Sequence, residues 1–498
     1  MNDSPGTPKL KTGIDGLDDV LRGGLPQGSI YLVNGSPGVG KTTLALQFVL
    51  AGAAAGEKVL YITLSESQDE LREVARSHGW SLDGVALYQL DTGIRAAGEA
   101  RYTMYHPSEV ELQEAISAVL AEVDRVQPAR VVLDSLSEIR LLAQDPLRYR
   151  RQILALKRRF GDQHCTVLLL DDHGGVADGH LESLAHGVLT LERHAPVYGG
   201  ARRRLEVAKL RGVKFRDGYH DYTIEAEGIA VYPRLVASEH ASTPAPWKLE
   251  SGIKELDEVA GGGLDGGTAT LVVGPAGSGK SALAAHYAAA AATAGQHAAI
   301  FTFDESIATA VARGESLGLP IRALVDAKTL RFVQIDPAEV SPGQFACKVK
   351  DAVVRDHAKI VVIDSLTGYL NAMPEEAFLL NQMHELLAYL GQQGIVTLLV
   401  ATQHGLVGAV QTPVDVSYLA DSVILLRYFE ALGSVRNAIS VLKRRTGMHE
   451  KTLREYKLGR GGIQIGAALK DFQGVLSGTP SYVGTSGPLL GDSRGKAG

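Results

Sequence analysis

The chain has 498 residues, 45% of them hydrophobic, and its 50 basic and 56 acidic side chains leave a net charge of −6. That length holds two cores of ordinary size, and the acidic balance argues against a protein whose main task is gripping nucleic acid, which usually shows a basic surplus or stripe. Cys165 and Cys347 lack metal-ligand spacing, Asp3, Ser4 and Pro5 stand where a signal peptide would be basic and then apolar, and no apolar run is long enough for a bilayer, so a cytoplasmic protein off the membrane is expected.

In chain order, residues 30–33 read as a strand buried on both faces. They run into Gly35-Ser36-Pro37-Gly38-Val39-Gly40-Lys41-Thr42-Thr43 and then an alanine- and leucine-rich helix. Strand, glycine loop and helix make a nucleotide-phosphate cradle. The glycines let successive N–H groups turn inward, Lys41 reaches the outer phosphates, and the Thr42 hydroxyl ligates magnesium. A second strand at 59–63 leads to Ser65-Glu66. A carboxylate at Glu66 suits alignment of a water in line with the γ-phosphate; the plainer alternative is an acid at a helix start, favoured by the macrodipole. Charged helices over 109–125 and 146–160 supply crossovers. A strand at 130–134 delivers Asp134, either to the metal's water shell or merely as a turn-forming Asp-Ser pair. The strand at 166–170 ends near Asp172-His173, a position for a γ-phosphate sensor. Residues 203–209 alternate like an antiparallel strand, so Lys209 and Arg211 share one face. They suit the phosphates of a neighbouring subunit's nucleotide; a solvated basic edge is the alternative.

The pattern then repeats. Gly274-Pro275-Ala276-Gly277-Ser278-Gly279-Lys280-Ser281-Ala282 forms a second loop, with Lys280 standing 239 residues after Lys41. The same spacing carries Gly13-Ile14-Asp15-Gly16-Leu17-Asp18 onto Gly252-Ile253-Lys254-Glu255-Leu256-Asp257, and Thr63-Leu64-Ser65-Glu66-Ser67 onto Thr302-Phe303-Asp304-Glu305-Ser306. Asp364 answers Asp134, and Lys443 and Arg445 answer Lys209 and Arg211. Strands are predicted at 270–273, 299–303, 360–364, 396–401 and 437–443, with a sensor position at Gln403-His404. A period this long is a duplicated domain. The expected class is α/β: two mainly parallel sheets flanked by helices, over residues 1–237 and 247–480. A Ser/Thr/Ala/Pro-rich linker at 238–246 separates them, and a disordered tail occupies 481–498. Each copy is expected to bind ATP or GTP, with Thr42 and Asp134, and Ser281 and Asp364, at the metal.

The double loop, the opening at residues 12–18, the Lys-Leu-Arg-Gly run at 209–212 and the segment 419–426 together resemble the KaiC family of circadian-clock ATPases, from about Lys9 to Pro480. The resemblance implies tandem RecA-like P-loop domains in a two-tiered homohexamer, with ATP and Mg2+ between subunits. It implies a slow ATPase in the first domain and an autokinase in the second, serving timing or signalling. The family's paired catalytic glutamates fall on Ser65 and Glu66, and on Asp304 and Glu305. Copy one therefore rests on Glu66 alone, while Asp304 keeps the charge on a shorter arm. The family's phosphorylated Ser-Thr pair falls on Ser417 and Tyr418, which leaves Ser417 as the candidate phosphosite, with Glu182 in the matching place of copy one. A KaiB-like partner is implied by the resemblance alone, and the short tail does not support a KaiA-type activator. Two other classes compete: a RecA/DnaB-like nucleic-acid-dependent ATPase, and a nucleotide-gated scaffold with little turnover.

Overall fold

Alternation along the buried strands explains the architecture. Ile30 and Leu32 face one apolar cluster, and Tyr31 and Val33 face another. A strand apolar on both sides must be covered by helices on both sides. In a computed structural model, which describes residues 8–90, 107–172, 179–195, 199–371, 378–403, 417–431, 433–475 and 481–483, this is the arrangement in each of two compact units that divide after Arg234.

The first unit contains strands β1 (Ile30–Gly35), β2 (Val59–Thr63), β3 (Val85–Gln89), β4 (Arg130–Asp134), β5 (Thr166–Asp171), β6 (Gly187–His194), β7 (Arg202–Leu210), β8 (Tyr219–Glu225) and β9 (Gly228–Tyr232). Among the described residues they form one sheet in the order β9-β8-β7-β6-β1-β5-β4-β2-β3. The portion from β6 to β3 is parallel and the β6–β9 end antiparallel. Helix α1 (Lys41–Ala54) packs on the Tyr31/Val33 face through Leu44 and Phe48. The unit also contains helices α2 (Gln68–Ser77), α3 (Pro107–Val126), α4 (Leu136–Ala143), α5 (Pro146–Asp162) and α6 (Gly179–Leu184). Val119, Ile139, Leu156 and Leu181, from α3 to α6, cover the Ile30/Leu32 face.

The second unit repeats the plan with β10 (Ala269–Gly274), β11 (His297–Thr302), β12 (Leu330–Gln334), β13 (Ala358–Asp364), β14 (Val396–Thr402), β15 (Ser422–Ala431), β16 (Ser434–Arg444), β17 (Arg454–Gly459) and β18 (Gly462–Ala468). Read from β18, the order is β18-β17-β16-β15-β10-β14-β13-β11-β12, strand for strand that of the first unit. Helix α7 (Lys280–Thr293) takes the place of α1, α8 (Ile307–Ser316) that of α2, and α9 (Pro342–Val354), α10 (Leu366–Asn371) and α11 (Leu379–Gln392) follow later in the repeat. The predicted strands all appear: 59–63 and 130–134 match at both ends, and the other ends shift by at most three residues, Phe303 falling just outside its strand.

The stretch expected as a linker is tied to the second unit. Within it, Gln393 donates to the His240 carbonyl at 2.9 Å and the His240 ring sits edge-on to Tyr389; just before it, the Ala237 N–H donates to Glu385 Oε2 at 3.1 Å. At the other end, Ser481–Tyr482 pair with Phe472–Gln473, and residues 484–498 lie outside the described residues. Both cysteines are free, and burial pushes the Cys165 thiol up to about 11. Among the described residues no helix is long and apolar enough to cross a membrane.

One buried cation ties three parts of the first unit together. Arg130 meets Glu57 through two hydrogen bonds of 2.6 and 3.1 Å, donates to the carbonyls of Lys11 and Phe48, and lies over the Phe48 ring. Its side chain is 3% exposed. Arg130→Ala leaves a partly buried carboxylate and two carbonyls without their donor. It is expected to destabilise this unit by about 3–5 kcal/mol, read as a lower urea midpoint for the first transition of the full chain. An unchanged midpoint would contradict that.

Candidate functional site

Each glycine loop leaves its strand at the carboxyl end of the sheet and enters a helix through a left-handed glycine. Gly40 (φ 99°) and Gly279 (φ 89°) cap α1 and α7. A Cβ at Gly40 would lie 2.7 Å from Ile224 Cδ1, and one at Gly279 2.4 Å from Leu458 Cδ1, so a side chain at either position would strain the left-handed backbone and push that neighbour aside. Tyrosines from the antiparallel strands brace the loops. Tyr222 donates to the Val39 carbonyl at 2.6 Å, Tyr456 to that of Ser278, and Tyr428 to that of Ala276 at 3.2 Å. Sequence reasoning missed all three tyrosines, although Tyr222 and Tyr456 occupy corresponding strands.

In the first unit, Lys41 is buried and Nζ donates to the carbonyls of Gly35 (2.7 Å) and Ser36 (3.1 Å) and pairs with Asp172 Oδ1 at 2.8 Å. Thr42 Oγ1 donates to Asp134 Oδ2 at 3.2 Å, and Tyr61 donates to the same oxygen at 2.6 Å. Burial pushes the Asp134 carboxyl up, against the pull of the Tyr61 and Thr42 donors. Glu66 follows a turn fixed by Thr63, whose hydroxyl accepts from the Glu66 N–H and donates to its carbonyl; Ser67 then caps α2 in a capping box with Glu70. Glu66 Oε2 is buried without a hydrogen-bond partner. Burial first, then the charges of Asp134, Glu70 and Asp172, raise its carboxyl above the usual range. Ser65 is exposed.

The second unit differs at the same stations. Lys280 donates to the Pro275 carbonyl at 2.8 Å, and burial lowers its ammonium despite nearby Asp364. Asp364 is raised by burial and held back by the Ser281 hydroxyl. Ile300 stands in the register of Tyr61, so the phenol that reaches Asp134 has no counterpart at that position. Asp304 Oδ2 accepts from Ser365 at 2.6 Å. Glu305 Oε2 pairs with Arg313 on α8 at 2.6 Å, where the first unit has Val74. The Thr302 hydroxyl donates to the Glu305 carbonyl at 2.9 Å, the counterpart of the Thr63 turn.

The cation pairs sit elsewhere. Lys209 pairs across the strand with Val188, which belongs to the cluster under α3–α6, the face opposite α1. Its Nζ donates to the Glu182 carbonyl at 2.5 Å, and Arg211 donates to that of Ser183 at 2.7 Å. Lys443 donates to the carbonyls of Ser417 (2.9 Å) and Ala420 (2.7 Å), and Arg445 pairs with Asp421 at 3.3 Å. Middle residues Leu210 and Arg444 turn the other way, into the core and onto Asp265. Ser417 lies in an exposed turn, and its carbonyl meets Lys443 as the Glu182 carbonyl meets the corresponding Lys209 in the first unit. His173 and His404 lie outside the described residues; strand register places Asp172 level with Thr402, one residue before Gln403.

Thr42 with Asp134, and Ser281 with Asp364, present hydroxyl and carboxylate oxygens of the hard type that Mg2+ takes, most of whose ligands come from phosphates and water. Accordingly, no cluster of three or more metal-binding side chains is needed, and none occurs among the described residues.

Two tandem RecA-like domains, each with a glycine loop, a buried lysine, a hydroxyl and a strand-end carboxylate, define an ATP-binding P-loop ATPase. The model of the family described as "ATPase: KaiC" matches residues 10–236 and 249–470, and the chain belongs to that family. It is 28% identical over 485 residues to the circadian clock oscillator protein KaiC of Acaryochloris marina, covering 95% of this chain and 92% of that protein. It is 27% identical over 494 residues to the circadian clock protein KaiC3 of Synechocystis, covering 97% of both. To the KaiC of Synechococcus elongatus it is 27% identical over 485 residues, covering 95% of this chain and 92% of that protein.

Proposed function

We propose that the chain assembles into a ring in which ATP lies between subunits, that the first unit hydrolyses it, and that the second passes phosphate to Ser417. The observation that carries the reading of the first unit is Glu66: a carboxylate oxygen buried without a partner, on the same carboxyl end of the sheet as the loop. In this reading Lys41 and the amides of Gly38–Thr43 hold the phosphates, Thr42 and Asp134 hold Mg2+, and Glu66 orients the water and accepts its proton late. A magnesium ion held by these two residues would supply neutralisation of the phosphate charge. In the second unit Lys280, Ser281 and Asp364 take the corresponding roles, with Asp304 or Glu305 as base.

The position of Lys209 and Arg211 supports sharing between subunits. They lie on the sheet face away from α1, and Lys209 is level with Leu32, three residues short of the loop. Neither cation meets its own unit's glycine loop, and in a ring the pair would be available to the phosphates of an adjacent copy. Lys443 and Arg445 stand likewise. A timing or signalling role, and a KaiB-like partner, rest on the likeness to clock proteins.

Native mass spectrometry of the chain with ATP and Mg2+, followed by phosphosite mapping, tests this. A ring-sized assembly and phosphate on Ser417, absent from Ser417→Ala, are expected. A monomer that carries no phosphate would overturn the ring and the kinase together. The second reading, a nucleic-acid-dependent ATPase, is favoured by one feature: Arg148, Arg151 and Arg158 are exposed along one side of α5. Stimulation of turnover by single-stranded DNA would select it.

A further inference from the structure

The two lysines of the phosphate loops are in different states. All three donors of the Lys41 ammonium are committed, two to loop carbonyls and one to Asp172. Those carbonyls belong to the loop itself, so the carboxylate is the ligand that an incoming phosphate oxygen must replace. Among the described residues Lys280 donates to one acceptor, the Pro275 carbonyl, and strand register gives its unit Thr402 where the first has Asp172. The exchange is built to be reversible from one side. The Lys41 side chain is 7% exposed and held by loop carbonyls, while that of Asp172 is 39% exposed and borders solvent. Asp172 is also held: Ser137 donates to its second oxygen at 3.1 Å, and Ser137 in turn meets Ser135, next to Asp134.

We propose that Asp172 is a specificity-determining residue of the first site. Resting on the nucleotide-binding reading, it acts as an internal anion that takes the place of a terminal phosphate on Lys41. A triphosphate must displace it and then share the site with the released carboxylate, a like charge at close range. A diphosphate, with no γ-oxygens near that carboxylate, bears less of the repulsion. The first unit is thereby tuned away from ATP and toward ADP relative to the second.

The test uses the full chain carrying Lys280→Ala, so that binding reports the first site. Affinities for a non-hydrolysable ATP analogue and for ADP are measured by titration calorimetry with Mg2+. Asp172→Asn is expected to raise the ratio of triphosphate to diphosphate affinity about tenfold, the order of one charge-assisted contact. Asp172→Ser should act likewise, whereas Asp172→Glu, which keeps the charge, should leave the ratio near the parent's. A merely structural role would weaken both nucleotides together and leave the ratio unmoved. An unchanged or lower ratio in both neutral variants, with parent-like melting, overturns the proposal alone. A parent chain that binds neither nucleotide overturns the nucleotide reading of the site as well.

Discussion

Glu66→Gln is expected to lower ATP turnover at the first site by about 10²–10⁴-fold, the range for loss of a positioned acid–base group. Turnover is read as phosphate release by chain carrying Lys280→Ala, which isolates that site. Glutamine fills the same volume, and the contacts that hold this turn, from Thr63 to the Glu66 backbone, involve no carboxylate. Folding and nucleotide affinity should therefore be spared while kcat falls. The pH profile supplies a second reading. Glu66 works as a base only when ionised, and burial together with neighbouring Asp134, Glu70 and Asp172 raises its carboxyl. The rate should thus decline with falling pH at a higher pH than an ordinary glutamate, whose value is about 4.3, would give. Turnover in the Glu66→Gln chain equal to the parent's would mean that the nucleotide serves as a scaffold ligand and not as fuel.

The second unit carries a restraint that the first lacks. Arg313 holds Glu305 at 2.6 Å, and Val74 occupies the corresponding place beside Glu66. A carboxylate engaged by a guanidinium has a charge-assisted partner to lose before it can orient water. Arg313→Val, in chain whose first site is disabled by Lys41→Ala, is expected to raise hydrolysis at the second site roughly tenfold, a fraction of the about 10²-fold or more of a fully placed base. Adding Glu305→Gln should return the rate to its starting level. If the rate instead drops in Arg313→Val alone, the ion pair supports catalysis and the restraint does not exist. Both outcomes are separable from phosphate transfer, because Asp304 has its own donor in Ser365.

What could be read from sequence is what is local. Gly35 to Thr43 and Gly274 to Ala282 specify strand exit, loop and helix entry within a few residues, and the Thr63–Ser67 and Thr302–Ser306 segments specify the turn that carries each glutamate. Asp134 and Asp364 end strands whose apolar runs admit no other assignment. The missed groups act across space. Tyr222 reaches a loop 183 residues earlier, and Tyr61 reaches Asp134 from the neighbouring strand. No period or spacing marks such pairs. Asp172 was visible as a polar strand end, but its contact with Lys41 depends on β5 lying beside β1. Arg313 is the exception: laying one copy over the other exposes Val74 against it, and that contrast was available from the two sequences.

The separation of loop from cation pair would have a consequence for growth of the proposed ring. Where the complementary surfaces of a contact are two different patches of one chain, copies join head to tail, and every open oligomer ends in one unmet patch of each kind. Closure is the state without such ends. On this reading the ring is held shut by the geometry of one repeated step, and a substitution that alters the angle of that step, with each contact intact, would yield open helical fibres in place of smaller rings.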